Sequence, residues 1–489
     1  MTATPLRILI MSAEMVPFAK TGGLADVVGA LPKALRTLGH DARVAMPRYG
    51  RIDRGRWGLT PVAPRYPVPM DDHPAEAELL LARVEAAGGG LPVYMVDSPR
   101  YFERDGIYMY EDDADRFIFF CRATLEGLKQ LGWRPDIIHC HDWHTAIVAN
   151  WLKTLYRDDP FFSGVACVYT IHNLAYQGIF GHRVLEIAGV DEFGFLAHPD
   201  IPHLNDVVDF MGRGIYYADL VNTVSPTYAR EILTPEFGEG LDPLLRDRTG
   251  GVYGVINGID TEVYNPASDP HLAVHYDASD PSGKLLCKRD LQRAAGLPER
   301  DETPLIGAVS RLADQKGFDL IDAIIEPLLR DQDVQLVLLG TGDQRYHARF
   351  EAIHARFPQQ CRAFLTFNAA LSQKIYAGSD LFLMPSRFEP CGQGQLIALR
   401  YGSIPVVRAT GGLADTIQNL DEAGAGNGFS FEPYEPQALA ATLDRALAHF
   451  RDHMAWRTLV QRAMRTDHSW DASARQYVEL YRRVLRLEA

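Results

Sequence analysis

Residues 7–38 read RILIMSAEMVPFAKTGGLADVVGALPKALRTL, and this stretch sets the pattern on which the rest of the chain is built. Arg7–Ser12 is a short apolar run typical of a buried strand. Apolar residues then recur at helical spacing from Leu24 to Leu38, which predicts a helix with a kink at Pro32 and an end at Gly39. A strand, a glycine-rich loop and a helix in this order predict the first unit of a parallel α/β sheet.

The same alternation of strands and helices continues along the chain. Gly254–Pro266 is rich in turn residues, and the pattern restarts after it. We therefore expect two α/β domains, residues 1–255 and 256–468, followed by an amphipathic C-terminal helix over 469–489. The predicted strands are Asp41–Met46, Pro135–Cys140 and Val165–Ile171 in the first half, and Pro304–Ser310, Val334–Leu339, Ala363–Phe367, Leu381–Pro385 and Ile404–Arg408 in the second.

The composition narrows the class of protein. The chain has 489 residues, a formal net charge of −14 and 47% apolar residues, so it has enough apolar material for sizeable cores. An acidic balance argues against a nucleic-acid or anionic-membrane partner, because both require a basic surface. The apolar run at Leu6–Ser12 is far shorter than the ~20 residues of a membrane helix. The six cysteines show no CxxC spacing, which indicates reduced thiols and a cytoplasmic protein.

A repeated hexamer is the first candidate for ligand binding. TGGLAD occurs at Thr21–Asp26 and again at Thr410–Asp415, each time after a predicted strand and at the start of a helix. One interpretation is chance reuse of a helix-start sequence. The other is that each copy offers a Gly-Gly helix N-terminus to a ligand between two similar domains, since such termini bind anions. Lys20, Gly22 and Gly23 suit either a phosphate site or a tight strand–helix turn beside a solvated lysine, and neither the P-loop nor the dinucleotide spacing is present.

A histidine-rich segment, His139-Cys140-His141-Asp142-Trp143-His144, begins at the end of a predicted strand. The spacing allows a metal site, but we expect His139 and His141 to point to opposite faces and His144 to lie in the next helix. A polar pocket floor at the strand end is favoured over a metal. His172, beside Asn173, ends the next strand, where a histidine serves either a sugar hydroxyl or a purely structural hydrogen bond.

Charged residues follow two strands of the second half. Arg311 and Lys316 suit two phosphate groups, and surface charges are the alternative interpretation. Glu389 offers a carboxylate for sugar or ribose hydroxyls, and the glycine-rich residues after it offer backbone N–H groups. Because these groups lie at strand ends in both halves, we expect a cleft between two domains that takes a diphosphate donor and a polyhydroxy acceptor.

These motifs together resemble one family. EMVPFAKTGGLADVVGALPKAL, HCHDWHTAIVANWLK, TIHNLAYQGIF, NTVSPTYAREI, INGIDTEVYNP, SRLADQKGFDL, SRFEPCG and RATGGLADTI are similar to motifs of bacterial glycogen synthases and plant starch synthases, in order, from about residue 6 to about 480. The resemblance implies glycosyltransferase family 5 and the GT-B fold, in which two Rossmann-like domains face a deep cleft and a C-terminal helix crosses back to the first domain. It implies transfer of glucose from ADP-glucose, sometimes UDP-glucose, to the 4-OH of an α-1,4-glucan with retention of configuration. No metal or other cofactor is expected.

The resemblance also implies roles for individual residues. Asp142 and His172 match residues that line the glucosyl pocket, Arg311 and Lys316 match the cations that neutralise the leaving diphosphate, and Glu389 matches the carboxylate that holds the transferred glucose. No residue matches a covalent nucleophile, so retention implies a front-face mechanism in which the leaving phosphate helps to take the acceptor proton. The donor-binding positions are Lys20, Gly22, Gly23, Asp26, Asn173, Phe367, Cys391, Gly392, Gln393 and Gly394.

Three segments depart from the family pattern. The family continues PCGLTQ or PCGLNQ, where this chain has Gln393-Gly394-Gln395. Its adenine-stacking tyrosine is Phe367 here, followed by Asn368-Ala369, which leaves the preferred base open. The lysine of the family's NFLKGGI becomes Gly212, with Arg213 next to it. A related transferase that makes small glucosides and a glucan-binding protein without turnover are the alternatives to a glucan synthase.

Overall fold

The chain divides into two compact units. The computed structural model describes residues 4–70, 73–87, 89–420 and 426–486. The first unit consists of two segments of the chain, one that ends at Asn257 and one that begins at Trp470. The second unit is Gly258–Ser469. The sequence predicts these divisions at 255/256 and 468/469.

The first unit is built on a twisted sheet that is parallel over most of its width. The strand order is β12-β11-β8-β7-β1-β2-β6-β5-β3, with β4 paired to β5, and β9 and β10 form a separate antiparallel pair. Its strands are β1 (Arg7–Met11), β2 (Asp41–Pro47), β3 (Thr60–Pro61), β4 (Tyr66–Met70), β5 (His73–Val84), β6 (Leu91–Asp97), β7 (Ile137–His141), β8 (Ala166–Ile171), β9 (Ile179–Phe180), β10 (Val208–Asp209), β11 (Leu220–Thr223) and β12 (Val252–Gly254).

Helices connect the parallel strands of this unit. The first helix continues through Pro32, and Gly39 follows its end with a φ of 89°. The helices are α1 (Gly23–Thr37), α2 (Pro99–Phe102), α3 (Asp113–Leu131), α4 (Trp143–Lys153), α5 (Arg183–Ile187), α6 (Phe210–Tyr217), α7 (Pro226–Glu231) and α8 (Asp242–Arg246), with short 3₁₀ turns at Asp191–Phe193 and Pro202–Asn205.

The second unit has a purely parallel sheet in the order β15-β14-β13-β16-β17-β18. Its strands are β13 (Leu305–Val309), β14 (Gln335–Leu339), β15 (Cys361–Phe364), β16 (Leu381–Met384), β17 (Ile404–Arg408) and β18 (Phe429–Phe431). Its helices are α9 (Gly283–Ala295), α10 (Phe318–Asp331), α11 (Gln344–Arg356), α12 (Ala369–Gly378), α13 (Gly394–Arg400), α14 (Gly411–Thr416), α15 (Pro436–Phe450) and α16 (His453–Arg465), with a 3₁₀ turn at Asp314–Lys316.

The C-terminal helix, Trp470–Val484, belongs to the first unit. It buries Ala474, Val478 and Tyr481, the stripe that the helical spacing predicts, and packs against α1 and β8. Each unit has its own apolar core. All six cysteines lie in the described residues, and each is a buried thiol outside any disulfide. Within the described ranges, no helix is both long and apolar enough to cross a membrane.

Candidate active site

The predicted site residues lie at the carboxyl ends of neighbouring strands in each unit. In the first unit, β1 pairs with β2 on one side and with β7 on the other, so the chain order reverses at β1. In the second unit, β13 pairs in the same way with β14 and β16. Open α/β sheets bind ligands at such reversal points. The loops after β1, β7 and β8, and after β13 and β16, carry most of the candidate residues.

The glycine loop after β1 is exposed and is held by a buried carboxylate. Lys20 Nζ lies 2.7 Å from Asp26 Oδ1, and a methyl group added at Gly22 would meet nothing within 4 Å. Glu14, only 4% exposed, accepts hydrogen bonds from the N–H groups of Thr21 and Gly22 and from the Tyr108 hydroxyl. Sequence reasoning missed Glu14, because a single glutamate after a strand carries no distinguishing pattern.

The second copy of TGGLAD has a packing role. Gly411 is buried, and a Cβ there would lie 2.0 Å from the Glu389 carbonyl oxygen. The Gly412 N–H donates to that same oxygen at 3.1 Å. The interpretation that both copies offer a glycine helix terminus to a ligand is therefore wrong for the second copy, whose glycines support the Glu389 loop.

Asp142 has an unusual backbone and a buried carboxylate. Its φ of 55° and ψ of −177° lie in a region that is nearly exclusive to glycine. Its Oδ1 accepts the His172 N–H at 2.8 Å. Burial raises the pKa of Asp142 to about 7, although hydrogen bonds from the backbone of His172 and Asn173 oppose that shift. Asp142 thus fixes the backbone at the end of β8.

Two histidines of β7, His139 and His141, lie on the same face of the sheet. The rings of His139 and His141 lie 4.1 Å apart, so the expectation that they point to opposite faces is wrong. The reason is the two-residue period of a strand, which puts residues two apart on the same face. His139 hydrogen-bonds Tyr481 Oη at 2.8 Å and Thr170 Oγ1 at 2.6 Å. His144 lies in the first turn of α4, as predicted, where it is buried and stacks on Tyr108.

His172 is partly exposed at the end of β8 and contacts a second histidine. Its Nε2 lies 2.8 Å from His141 Nδ1. Burial lowers the pKa of His172 and of His139 to about 3, and that of His141 well below its usual range. All three imidazoles are therefore neutral at pH 7. Within the described residues, no three His, Cys, Asp or Glu side chains are grouped in a way that could hold a metal ion.

Lys316 and Glu389 form the central ion pair of the second unit. Lys316 Nζ donates to both carboxylate oxygens, at 2.7 and 2.9 Å, and Ser386 Oγ donates to Oε2 at 3.0 Å. Gly317 brings the loops after β13 and β16 together, since a Cβ there would lie 2.1 Å from the Pro385 carbonyl oxygen. Arg311 is exposed and donates to Gln315 Oε1 at 3.1 Å. Its guanidinium is thus accessible to an anion.

The loop from Cys391 to Gly394 is tied from within by Gln395, a residue that sequence reasoning did not assign. Gln395 is fully buried, and its Nε2 donates to the carbonyl oxygens of Cys391 and Gly392 at 3.0 and 3.2 Å. Gly392 has a φ of 72°, and a Cβ there would collide with Gln395. The change to Gln393-Gly394 leaves these internal ties in place, and α13 begins at Gly394.

Phe367 presents an exposed aromatic ring. Strand β15 ends at Phe364, so the predicted extension to Phe367 is wrong. The reason is that the chain turns there toward α12, whose N-terminus is capped by Asn368 Oδ1 accepting the Leu371 N–H. The Phe367 side chain is 83% exposed, which leaves a ring face for stacking against a flat ligand.

Arg213 is an internal residue. It is 1% exposed and donates to Asn150 Oδ1 at 2.7 Å and to the Gly194 carbonyl oxygen at 2.6 Å. Gly212 donates its N–H to Asp209 Oδ1, which caps α6. The family pattern has a lysine at position 212. Because Arg213 is buried, it does not act as a surface cation in place of that lysine.

Comparisons with known proteins agree along nearly the whole chain. Residues 7–247 match the family described as starch synthase catalytic domain, and residues 291–458 match glycosyl transferases group 1. The glycogen synthase of Desulforudis audaxviator is 49% identical, with 98% of this chain and 96% of the relative covered. That of Bacillus subtilis is 44% identical, with 98% and 99% covered.

Solved structures give the same result. The catalytic domain of starch synthase IV from Arabidopsis thaliana, bound to ADP and acarbose, matches with a TM-score of 0.91 and 38% identity, covering 99% of this chain and 100% of that one. The sucrose-phosphate synthase of Thermosynechococcus elongatus, at 16% identity and a TM-score of 0.60, shares the fold. The chain therefore belongs to the glycogen and starch synthase family of glycosyltransferases and has the GT-B fold, with two Rossmann-like domains.

Proposed function

We propose that this chain transfers glucose from ADP-glucose to the 4-OH at the non-reducing end of an α-1,4-glucan such as glycogen, with retention of configuration. The observation that carries the proposal is the match, over 99% of the chain, to a starch synthase domain that binds ADP and acarbose. The reaction breaks the bond between the glucose anomeric carbon and the diphosphate and forms a bond to the acceptor oxygen. The acceptor proton passes to the leaving phosphate oxygen, so that ADP is released.

In the second unit, Arg311 and Lys316 neutralise the negative charge that develops on the leaving diphosphate. Charged groups that are already positioned before the reaction account for a large share of the rate enhancement in many enzymes. Glu389 serves two purposes in this proposal. It holds Lys316 through the bidentate contact, and it accepts hydrogen bonds from hydroxyls of the transferred glucose. The exposed ring of Phe367 stacks on the base.

In the first unit, the exposed loop at Lys20, Gly22 and Gly23 contributes the Lys20 ammonium group to the donor phosphates. Because Gly22 has no side chain, the phosphates can approach this loop closely, while its N–H group stays bonded to Glu14. His172 contacts the transferred glucosyl group, and Asp142 orients it by accepting the His172 N–H. Asp142 therefore acts through the position of His172.

The proposed reaction needs no metal ion. Positive charge for the leaving group comes from Arg311 and Lys316. Both ring nitrogens of His139 already have partners in Tyr481 and Thr170, which leaves this histidine no lone pair for a metal. We also propose that the protein acts in the cytoplasm, which is supported by six buried cysteines that are reduced thiols outside any disulfide.

The test is incubation with glycogen and either ADP-glucose or UDP-glucose, with a chelator present. Digestion of the labelled product by an enzyme that removes sugar units from the non-reducing ends shows whether the new glucose was added there. Chelator-resistant extension from ADP-glucose supports the proposal in full, and a preference for UDP-glucose would refute the assigned donor. Transfer to glucose or maltose but not to glycogen would favour a small-glucoside transferase. Glycogen binding without nucleotide release would favour a protein without turnover.

A further inference from the structure

His141 lies beneath His172, and the proposed reaction assigns it no role. It is fully buried, and its Nδ1 is 2.8 Å from His172 Nε2. Its own Nε2 is buried without a hydrogen-bond partner. The neighbouring ring of His139 cannot supply one, because both of its nitrogens are engaged by Tyr481 and Thr170.

This arrangement distinguishes the two neutral forms of His141. A proton on Nε2 would leave a buried N–H group unpaired, which costs about 1–3 kcal/mol. A proton on Nδ1 makes the hydrogen bond to His172 Nε2 and leaves only a lone pair unpaired, and orphaned buried N–H groups are the rarer of the two. His141 therefore donates from Nδ1, and His172 accepts at Nε2.

The proton of neutral His172 then resides on Nδ1. Because burial lowers the pKa of both histidines well below 7, each ring carries one N–H at neutral pH. The backbone of His172 is fixed separately, since Asp142 Oδ1 accepts its N–H. Asp142 thus fixes the backbone of His172, and the contact with His141 determines the tautomer of the His172 ring.

We propose that His141 is a positioning residue that fixes the tautomer of His172, so that His172 presents Nδ1–H as a hydrogen-bond donor to an oxygen of the transferred glucosyl group. This inference rests on the proposed function. In the other tautomer, His172 presents a lone pair to the same oxygen, and the hydrogen bond is lost unless a sugar hydroxyl turns to donate. His141 itself touches no substrate.

Two substitutions separate this role from simple packing. His141→Asn places an amide N–H near the position of Nδ1 and retains the donor, whereas His141→Gln places it near Nε2, away from His172. We expect His141→Asn to keep kcat within about threefold of the unsubstituted protein. We expect His141→Gln to lower kcat by about 100-fold, the range for losing one hydrogen bond that stabilises a transition state, while the KM for glycogen changes little. A kcat for His141→Gln equal to that of His141→Asn would overturn the proposal.

Neutron diffraction from crystals of the unsubstituted protein in D₂O, near pD 7, gives a readout that does not depend on activity or on folded variants. We expect deuterium on Nδ1 of both His141 and His172. Deuterium on His172 Nε2 would overturn the proposal. If the unsubstituted protein releases no ADP in the presence of glycogen, the proposed function fails. If it is active and the tautomer is the opposite one, only this inference fails.

Discussion

Replacing Lys316 by methionine tests the ion pair at the centre of the second unit. The substitution keeps the length of the side chain and removes its charge. It leaves Glu389, whose side chain is 8% exposed, without the cation that lies 2.7 Å from its Oε2. The same change removes a cation that we assign to the leaving diphosphate, so both stability and turnover are expected to fall.

The size of the effect follows from burial. At an effective dielectric constant of about 20, unit charges about 2.7 Å apart attract by about 6 kcal/mol before desolvation is counted. Breaking a buried pair costs about 3–5 kcal/mol, and breaking an exposed pair about 0–1 kcal/mol. The Lys316 side chain is 18% exposed, so this pair lies toward the buried limit. We expect a loss of about 2–3 kcal/mol, and a fall in kcat of about 100- to 1,000-fold.

Lys374 provides a matched control in the same unit. Its Nζ lies 2.9 Å from Asp290 Oδ2, and its side chain is 33% exposed. Thermal unfolding should show a fall in Tm of about 5–10 °C for Lys316→Met, at about 2–4 °C per kcal/mol. It should show about 3 °C or less for Lys374→Met, because this pair is more exposed than the Lys316 pair and is expected to contribute less. The kcat of Lys374→Met with ADP-glucose should stay within about twofold of the unsubstituted protein, because we assign Lys374 no part in the site. Equal Tm values for the two variants, together with an unchanged kcat for Lys316→Met, would refute the reasoning.

Three further outcomes are expected. Phe367→Ala should raise the KM for ADP-glucose about tenfold or more at constant kcat and nearly constant Tm, because base stacking on an exposed ring contributes ~1–3 kcal/mol. Gly411→Ala should lower the free energy of unfolding by about 2–4 kcal/mol in denaturant titrations, because its Cβ would strike a carbonyl oxygen, whereas Gly22→Ala should change it by about 0.5 kcal/mol or less. Stability should fall from pH 6.5 to pH 4.5, since four histidines whose pKa is lowered by folding must gain protons on unfolding; the groups are His139, His141, His144 and His172.

The sign of the pH effect includes an opposing contribution. Folding lowers the pKa of these four histidines, so the unfolded chain binds more protons below pH 6.5 and stability rises with pH in that window. Folding raises the pKa of Asp142 and Asp209 to about 7, so these two carboxyls lower stability as pH rises from 4 to 7. The four histidines outnumber the two carboxyls by two, and a net slope of up to about 2–3 kcal/mol per pH unit follows, at 1.36 kcal/mol per proton. Stability that rises on acidification would contradict this assignment of the titrating groups.

An unchanged KM for ADP-glucose in Phe367→Ala would contradict the stacking of the base on Phe367. Equal unfolding curves for Gly411→Ala and Gly22→Ala would contradict the predicted clash at Gly411.

Most of the parallel strands could be predicted from sequence because strands buried on both faces are continuous apolar runs between turn residues. The exceptions are β6, β11, β12 and β18, for which the sequence analysis predicts no strand. The antiparallel extension could not be predicted. Strand β4 reads YPVPM, with prolines at its two exposed positions, and it pairs only with β5. Proline within a strand ordinarily argues against the assignment and is tolerated here because β4 lies off the main path of the sheet. The strands before and after β4 in the sequence, β3 and β5, have no apolar pattern clear enough to predict a sheet despite these prolines.

The candidate residues were found where short motifs stand at strand ends, as for His172 and Glu389. What the sequence could not supply was the set of contacts made across the fold. Glu14 holds the glycine loop through Thr21 and Gly22, and Gln395 ties its own loop through backbone oxygens. The two TGGLAD copies make the same point, since the Thr-Gly-Gly part of the hexamer is exposed in the first unit and buried in the second. Only the packing around each copy determines its role.

The central claim is that this chain moves glucose from ADP-glucose onto an α-glucan. The most direct test is to measure ADP release and glucose incorporation into glycogen in the same reaction, using ADP-glucose labelled in the sugar. The account predicts equal amounts of ADP released and glucose incorporated, with new α-1,4 linkages visible in the proton NMR spectrum of the polymer. ADP release without incorporation, or a β-linked product, would contradict it.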